Sequence, residues 1–296
     1  MKMKHTTKFG QIILNVIFII ISCMYIIPFM LLISISISNE GYLKEQGYSL
    51  IPRQIDFEAY KQIFRNPNAI LDAYGVTIIF TVMTVLLGVI IMCMAAYPLS
   101  RKNCKFRNAF SFYLFFTMLF SGGLVPSYII NSKYLHIDNT IWVYILPGIM
   151  SAWYTFIIRS FFQGLPNELI EAAKIDGASE TRILMQLIIP LSTPVIATIA
   201  FNLAIGKWND WNTALIYIRN PRLYSLQYLL QKILNEAEFL ENAATQNYSG
   251  NFENVEVPTE SMRYAMAILA AGPMMFIFPF FQKHFTQGLT VGSVKG

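Results

Sequence analysis

Charge is scarce in this chain. Asp, Glu, Lys and Arg make up 13% of its 296 residues against 55% hydrophobic ones, and the mean hydropathy is +0.47. Such scarcity excludes an ordinary pair of soluble domains and makes lipid the solvent the chain is built for. Cysteine is rarer still. Cys23, Cys93 and Cys104 share no disulfide or metal spacing, and with two of them inside apolar runs they read as small buried residues without chemistry. Catalytic signatures are missing as well. No G-x-x-x-x-G-K-[ST] is present to cradle nucleotide phosphates, so any ATP is held by a partner. No H-E-x-x-H, C-x-x-C or G-x-S-x-G occurs, and His5, His136 and His284 all lie near segment ends. An intramembrane enzyme and a metal site are both disfavoured. Ionisable residues are nearly absent from the apolar runs, whereas ion-coupled carriers and proton pumps place carboxylates or histidines there. An ion-coupled carrier or channel is therefore the weaker transport reading. The net charge of +5 is no nucleic-acid footprint, because the basic residues are scattered at segment ends instead of gathered in a patch. Internal repeats and low-complexity segments do not stand out.

What is present is a series of apolar runs long enough to cross a bilayer. The expected fold is an all-α membrane protein of one domain, residues 1–296, with six transmembrane helices at about 12–33, 74–99, 109–131, 140–161, 187–206 and 262–281. The first run follows three lysines. A cleavable signal peptide would have a shorter apolar core ending at small residues, whereas this run can span and contains Pro28 and aromatics, so it reads as a transmembrane helix. Residues 38–73 form a polar connection in which 56–64 suits a short surface helix. Gly122, Gly123 and Pro126 break the regularity of the third run. A polar, acidic stretch at 207–261 separates the fifth run from the sixth.

The orientation follows from charge. Arg101, Lys102, Lys105 and Arg107 crowd one tight loop, which marks it as cytoplasmic. With six spans, the amino end, this loop, the segment around 164–190 and the tail share one side. That side carries 12 basic and 4 acidic residues and the other 10 and 13, together the 22 Lys and Arg and 17 Asp and Glu of the chain. Both termini are thus expected in the cytoplasm. Pro28, Pro98, Pro126, Pro147, Pro194, Pro273 and Pro279 recur in or beside the spans. Such kinks are tolerated where helices pack on one another or line a wet cavity, although proline is also simply common in membrane helices.

Residues 164–194, GLPNELIEAAKIDGASETRILMQLIIPLSTP, mix charge, small residues and turn chemistry more densely than any other stretch. Pro166 and Asn167 open a short helix, with Asn167 able to cap it and Glu168 in the first turn, where the helix dipole favours an acid. Ala172 and Ala173 offer a smooth patch. Asp176-Gly177 ends the helix, since glycine reaches the left-handed conformation cheaply. Ser179 then caps a second helix whose apolar stripe is Ile183, Leu184, Leu187 and Ile188. Pro190 and Pro194 lead into the next span. The expected product is an elbow outside the membrane, suited to close docking by another protein.

On these residues the stretch resembles the EAA signature of the integral membrane subunits of ABC importers, with Glu171, Ala172, Ala173, Gly177 and Pro190 in register and the aliphatic types at Leu187 and Ile189 exchanged. The resemblance implies a cytoplasmic coupling-helix elbow, 164–190, that docks into a cleft of a partner ATPase through Glu171, Ala172, Ala173, Asp176, Gly177 and Pro190. It also implies that ATP and Mg2+ belong to that ATPase, and that this chain binds no cofactor and catalyses no bond-breaking step.

A second cluster, Lys207, Trp208, Asn209, Asp210, Trp211 and Asn212, falls at the outer end of the fifth span. Indoles beside amide and carboxylate groups suit sugar recognition, in which a pyranose face stacks on the ring and its hydroxyls bond to the polar neighbours. An aromatic belt at the membrane interface is the competing reading. Trp208, Asn209, Asp210 and Trp211 are the substrate-pathway candidates. This run, the G-G-L-V-P-S-Y run at 122–128 and the tail at 287–296 resemble the carbohydrate-uptake branch of the same family, close to its oligosaccharide and polysaccharide-fragment permeases. The resemblance implies a multi-pass permease in a bacterial cell membrane. Its implied partners are a second, similar permease, two copies of an ATPase, an extracytoplasmic solute-binding protein, a carbohydrate and lipid, with no nucleic acid. A peptide or an amino acid is the alternative solute. The segment 235–258, acidic and rich in asparagine, departs most from that pattern.

Overall fold

A computed structural model describes residues 8–65, 67–245 and 260–293. Among these every regular element is helical, and the only extended pairing is a single bridge between Ser38 and Ile55. The chain divides into two compact units, Met1–Pro67 with Leu230–Gly272, and Asn68–Leu229 with Pro273–Gly296.

The first unit begins with α1 (Lys8–Ser36), which carries Pro28. Its apolar side chains are exposed along nearly the whole length, as expected of a helix whose backbone is satisfied internally and whose side chains meet lipid or another membrane helix. Cys23 lies on this surface and is exposed, against the expectation of a buried residue; Cys93 is buried and Cys104 intermediate. The chain leaves the apolar run through serines. Ser34 Oγ donates to the Ser49 carbonyl (2.7 Å), and Ser36 Oγ lies 3.0 Å from Tyr60 Oη. Asn39 then caps α2 (Glu40–Gln46) by accepting from the Tyr42 N–H, while its amide donates to Asp56 at 3.0 Å. The expected surface helix is α3 (Glu58–Ile63), which buries Ala59 and Ile63. Glu40 accepts from the backbone N–H groups of Glu260 and Ser261. It thereby places an anion where a helix dipole favours one. Tyr48 Oη donates to Glu260 at 2.8 Å, and that carboxylate pushes the Tyr48 hydroxyl well above the ordinary tyrosine range.

The second unit is organised on α4 (Pro67–Ser100), which packs one face into the unit's core along its whole length. Toward its start, Val76 and Phe80 join Val143, Tyr144, Ile145, Ala214 and Ile218, with Phe80 and Tyr144 stacked 4.4 Å apart. Toward its end, Met92, Cys93, Ala96 and Tyr97 pack with Ile158, Phe162, Ile170, Ile183, Leu184, Ile188, Ile199 and Leu203. Both the elbow and the following span therefore rest on the last turns of α4.

Among the described residues three helices are long and apolar enough to cross a membrane, Gly10–Ser36, Pro67–Ser100 and Glu260–Pro279. The three other apolar runs are broken. Arg107–Leu119 and Leu124–Tyr134 meet at 111°, Trp142–Gly148 and Ala152–Gln163 at 47°, and Glu180–Leu191 and Thr193–Trp208 at 81°. With each bent pair counted as one crossing the chain reaches up to six. Local chemistry explains the breaks. In the first, α5 (Arg107–Leu119) ends in extended Phe120, and Gly123 takes φ 83° before α6 (Leu124–Ile129). In the second, α7 (Trp142–Ile145) tightens into a 3-10 turn around Pro147, and Ser151 caps α8 (Ala152–Gln163) by accepting from the Tyr154 N–H. The stretch expected as an external loop is largely helical where described. It follows the fifth run with α13 (Asn212–Tyr217) and α14 (Leu226–Thr245), and α15 (Glu260–Ser293) then extends well past the expected 281. Residues 246–259, which include about half of the acidic segment, and 294–296 lie outside the described residues.

Candidate functional site: the elbow and the end of the fifth run

The elbow is two short helices closed by one glycine. α9 (Asn167–Ile175) starts directly after Pro166, which is its N-cap, so Asn167 is the first helical residue and makes no side-chain cap. This corrects the expected capping role: Pro166, at φ −56° and ψ 128°, itself holds the non-helical conformation of an N-cap, so the helix already includes Asn167. Glu168 stands in the first turn as expected. At the other end the Ala178 N–H donates to the Ala173 carbonyl and the Gly177 N–H to that of Lys174, both at 3.0 Å, with Gly177 at φ 75°. These two bonds form a Schellman motif, which satisfies the last carbonyls of α9 and reverses the chain. Ser179 accepts from the Arg182 N–H (3.3 Å) and caps α10 (Glu180–Ile183) as expected.

What α9 presents follows from what it buries. Ile170 is its single buried residue, and Ala173 packs partly against the same core. Glu171 and Ala172 are exposed. The smooth patch is thus Ala172 rather than the pair, and it is flanked by Leu169 and by Ile175, which is 87% exposed. The sequence held this signal, since Leu169, Ala172 and Ile175 recur at three-residue spacing. Beyond α10 the backbone widens into a π-helical turn at Leu184–Ile188 just before Pro190, which opens α11 (Ile189–Leu191). A proline both lacks an N–H and crowds the carbonyl one turn back, so a wider turn relieves it. Thr193 Oγ1 donates to the Pro190 carbonyl at 2.7 Å.

The second candidate site closes α12 (Thr193–Trp208). Lys207 turns inward. Its Nζ donates to the Tyr144 carbonyl at 2.8 Å and pairs with Asp210 Oδ2 at 3.3 Å, the two side chains being 17% and 14% exposed. Asp210 also accepts from the Thr213 N–H (3.0 Å) and Oγ1 (2.8 Å), and its carbonyl accepts from Ser225 Oγ at 2.8 Å. A Cβ on Gly148 would fall 2.5 Å from Lys207 Cε, so only glycine leaves the lysine its path. Trp208 is 3% exposed and lies beside Tyr74, ring centroids 6.4 Å apart. It holds no open indole face. Asn209 is exposed, donating to the Ile205 carbonyl and accepting from Gln227, and Trp211 is 40% exposed. Of the four pathway candidates, two face outward and two hold them in place.

This architecture has relatives. The family model described as binding-protein-dependent transport system inner membrane component matches residues 4–291. The chain belongs to that family. It is accordingly a membrane-embedded transport subunit and not an enzyme, which sets aside the ion-coupled carrier. Among curated members of this kind it is similar to protein LplC of Bacillus subtilis (strain 168), at 36% identity over 99% of this chain and 98% of that one. It is also similar to the polygalacturonan/rhamnogalacturonan transport system permease protein YtcP of the same organism, at 32% identity over 92% and 93%. Among solved structures it resembles a chain of a bacterial ABC transporter involved in the import of the acidic polysaccharide alginate, with TM-score 0.79 and 27% identity over 95% of this chain and 99% of that one.

Proposed function

We propose that the chain forms one half of the translocation pathway of an ATP-driven importer for a carbohydrate, an oligosaccharide, handed over by an extracytoplasmic binding protein. A second permease completes the pathway. Two copies of a cytoplasmic ATPase bind ATP and Mg2+, and their closure, received by the elbow through Glu171, Ala172, Ala173, Asp176, Gly177 and Pro190, switches the spans from inward-facing to outward-facing. The observation that carries this reading is the elbow itself, a short helix with an exposed Leu169-Ala172-Ile175 face, set by a Schellman turn beside the end of α4. The saccharides named for the relatives, and the exposed Asn209 and Trp211, support a sugar over a peptide or amino acid.

A strain lacking only this chain is expected to lose uptake of a radiolabelled oligosaccharide and to regain it from a plasmid copy. Uptake should stop on ATP depletion and persist when ion gradients collapse. Copies carrying Asn209→Ala or Trp211→Ala should restore uptake with apparent affinity weakened several-fold, about 1 kcal/mol for a lost stacking face or hydrogen bond. Trp208→Ala acts differently, emptying a packed site and lowering the folded yield. Wild-type affinity in both Asn209→Ala and Trp211→Ala would reduce this cluster to an interface belt.

In the proposed orientation six spans leave both termini, the 101–107 loop and the elbow in the cytoplasm, with Asn247, outside the described residues, on the external side. Cysteines placed at 103, 175 and 247 in a cysteine-free background are treated with a membrane-impermeant maleimide. In intact cells only position 247 should react. Labelling at 103 without labelling at 247 would invert the layout.

A further inference from the structure

One carboxylate ties the elbow's two arms to the spanning helix beneath them. Lys174, in the last turn of α9, approaches Glu180 Oε1 at 2.6 Å across the Gly177 turn. The other oxygen, Oε2, accepts from Tyr97 Oη at 2.5 Å. Tyr97 sits in the last turn of α4 with its ring in the core and under the Arg101 guanidinium, 4.9 Å from the ring centroid. Glu180 itself opens α10. Three elements, α4, α9 and α10, thus meet on one side chain beside the Gly177 turn. Lys174 and Glu180 are both exposed to water, where an ion pair adds little to stability. Their geometry bears instead on stiffness: the Schellman turn fixes the backbone at one glycine and Ile170 seats one face of α9 in the core, and the Glu180 tie adds a direct link from the end of α9 to α10 and α4.

We propose that Glu180 is a positioning residue that locks both arms of the elbow onto α4, so that a push received by α9 enters the spanning helix instead of being absorbed at Gly177. Ile170, Ile183 and Leu184 pack on the same turns of α4, which supplies the apolar bed on which the tie acts. This role rests on the elbow being the ATPase contact, and its test separates the two. The purified complex of permeases and ATPase is reconstituted into liposomes with its binding protein, and both ATP hydrolysis and solute entry are measured. Glu180→Ala and Tyr97→Phe, the latter losing only a hydroxyl, should retain the ATPase through purification and keep solute-stimulated hydrolysis within about twofold of wild type. Solute moved per ATP should fall at least about threefold. Glu180→Gln keeps an acceptor for Tyr97 but loses the attraction to Lys174, and it should lie between. Spin labels at positions 102 and 175 on a cysteine-free background should give a narrow distance distribution in the parent and a broad one in Glu180→Ala. An unchanged solute-to-ATP ratio in both Glu180→Ala and Tyr97→Phe overturns the proposal. So does loss of the ATPase from Glu180→Ala alone, which would make Glu180 a docking contact. Failure of the parent complex to hold the ATPase through the elbow would instead overturn the functional reading beneath it.

Discussion

Gly177→Val is expected to reach the membrane in normal amounts and to lose the ATPase. The residue stands at φ 75° with nothing within 4 Å of where a Cβ would point, so the penalty is purely conformational. A β-branched residue held at positive φ costs about 1 to 3 kcal/mol. The Schellman bonds from Gly177 and Ala178 hold the turn only through that conformation, and the strained chain relaxes by letting them go. If the docking-competent elbow is disfavoured by this amount, its population falls by about 5- to 150-fold, and apparent affinity for the ATPase falls with it. Insertion is spared because the spans are held by lipid and by one another. Co-purification of the ATPase and solute-stimulated ATP hydrolysis are the measurements. Gly177→Asn supplies the control, since asparagine tolerates the left-handed region better than other residues, and it should retain most of both signals. Glu171→Lys reaches the same loss by another route. It reverses an exposed charge beside Ala172, and, on the proposed docking of this face against a basic group of the ATPase, sets like charges together. Full stimulated hydrolysis in both Gly177→Val and Glu171→Lys would mean that coupling runs through another surface.

How far the chain could be read without coordinates depended on the range of the interactions involved. Local chemistry was legible: the left-handed glycine at 177, the Ser179 cap and the long apolar helices α1 and α4 all follow from neighbours in sequence. Where two local signals competed, the sequence did not decide between them. Asn167 could cap and Pro166 could precede a helix, and the proline took the cap position. The bends were only half visible. Gly122, Gly123 and Pro126 announced the first; Pro190 and Pro194 bracket the break at Ser192 but left open which would end the helix, and the π-turn before Pro190 carried no local signal. Composition also misled. The polar residues of 226–245 suggested a loop, yet they alternate with apolar ones at helical spacing and fold as α14. Least legible were the long-range ties. Nothing near Lys207 in sequence points to Tyr144, and nothing near Glu180 points to Tyr97. Burial of Trp208 follows equally from a neighbour far away, Tyr74, so its indole could not be told from the exposed one at Trp211.

Those long-range ties set the second large effect, at Lys207. Around Pro147 the helix that began at Trp142 tightens and ends, and in a membrane a carbonyl left without a donor there has no water to turn to. Lys207 supplies a donor to Tyr144, and Asp210 balances its charge at 3.3 Å. Both side chains are largely buried, and breaking such a pair by removing one partner costs about 3 to 5 kcal/mol because the other charge is stranded. Lys207→Met should therefore destabilise the chain by about that amount, read as a lowered unfolding midpoint in detergent and a reduced folded yield. Asp210→Asn should cost less, since the amide still accepts from Lys207 and Thr213. The double variant Lys207→Met with Asp210→Asn should recover at least half of the loss from Lys207→Met, because no unpaired charge remains. That non-additivity identifies the pair as the cause. Gly148→Ala tests the same contact from the opposite side. The new Cβ would lie 2.5 Å from Lys207 Cε and 2.8 Å from Nζ, so it displaces a side chain pinned at its tip, and a milder form of the same defect is expected. Because Asn209 and Trp211 flank Asp210 on the turn that this pair anchors, each destabilising variant that still folds should also weaken apparent affinity for solute. Wild-type stability of Lys207→Met would show that the lysine is solvated in the assembled importer and that the turn is held by Thr213 and Ser225 alone.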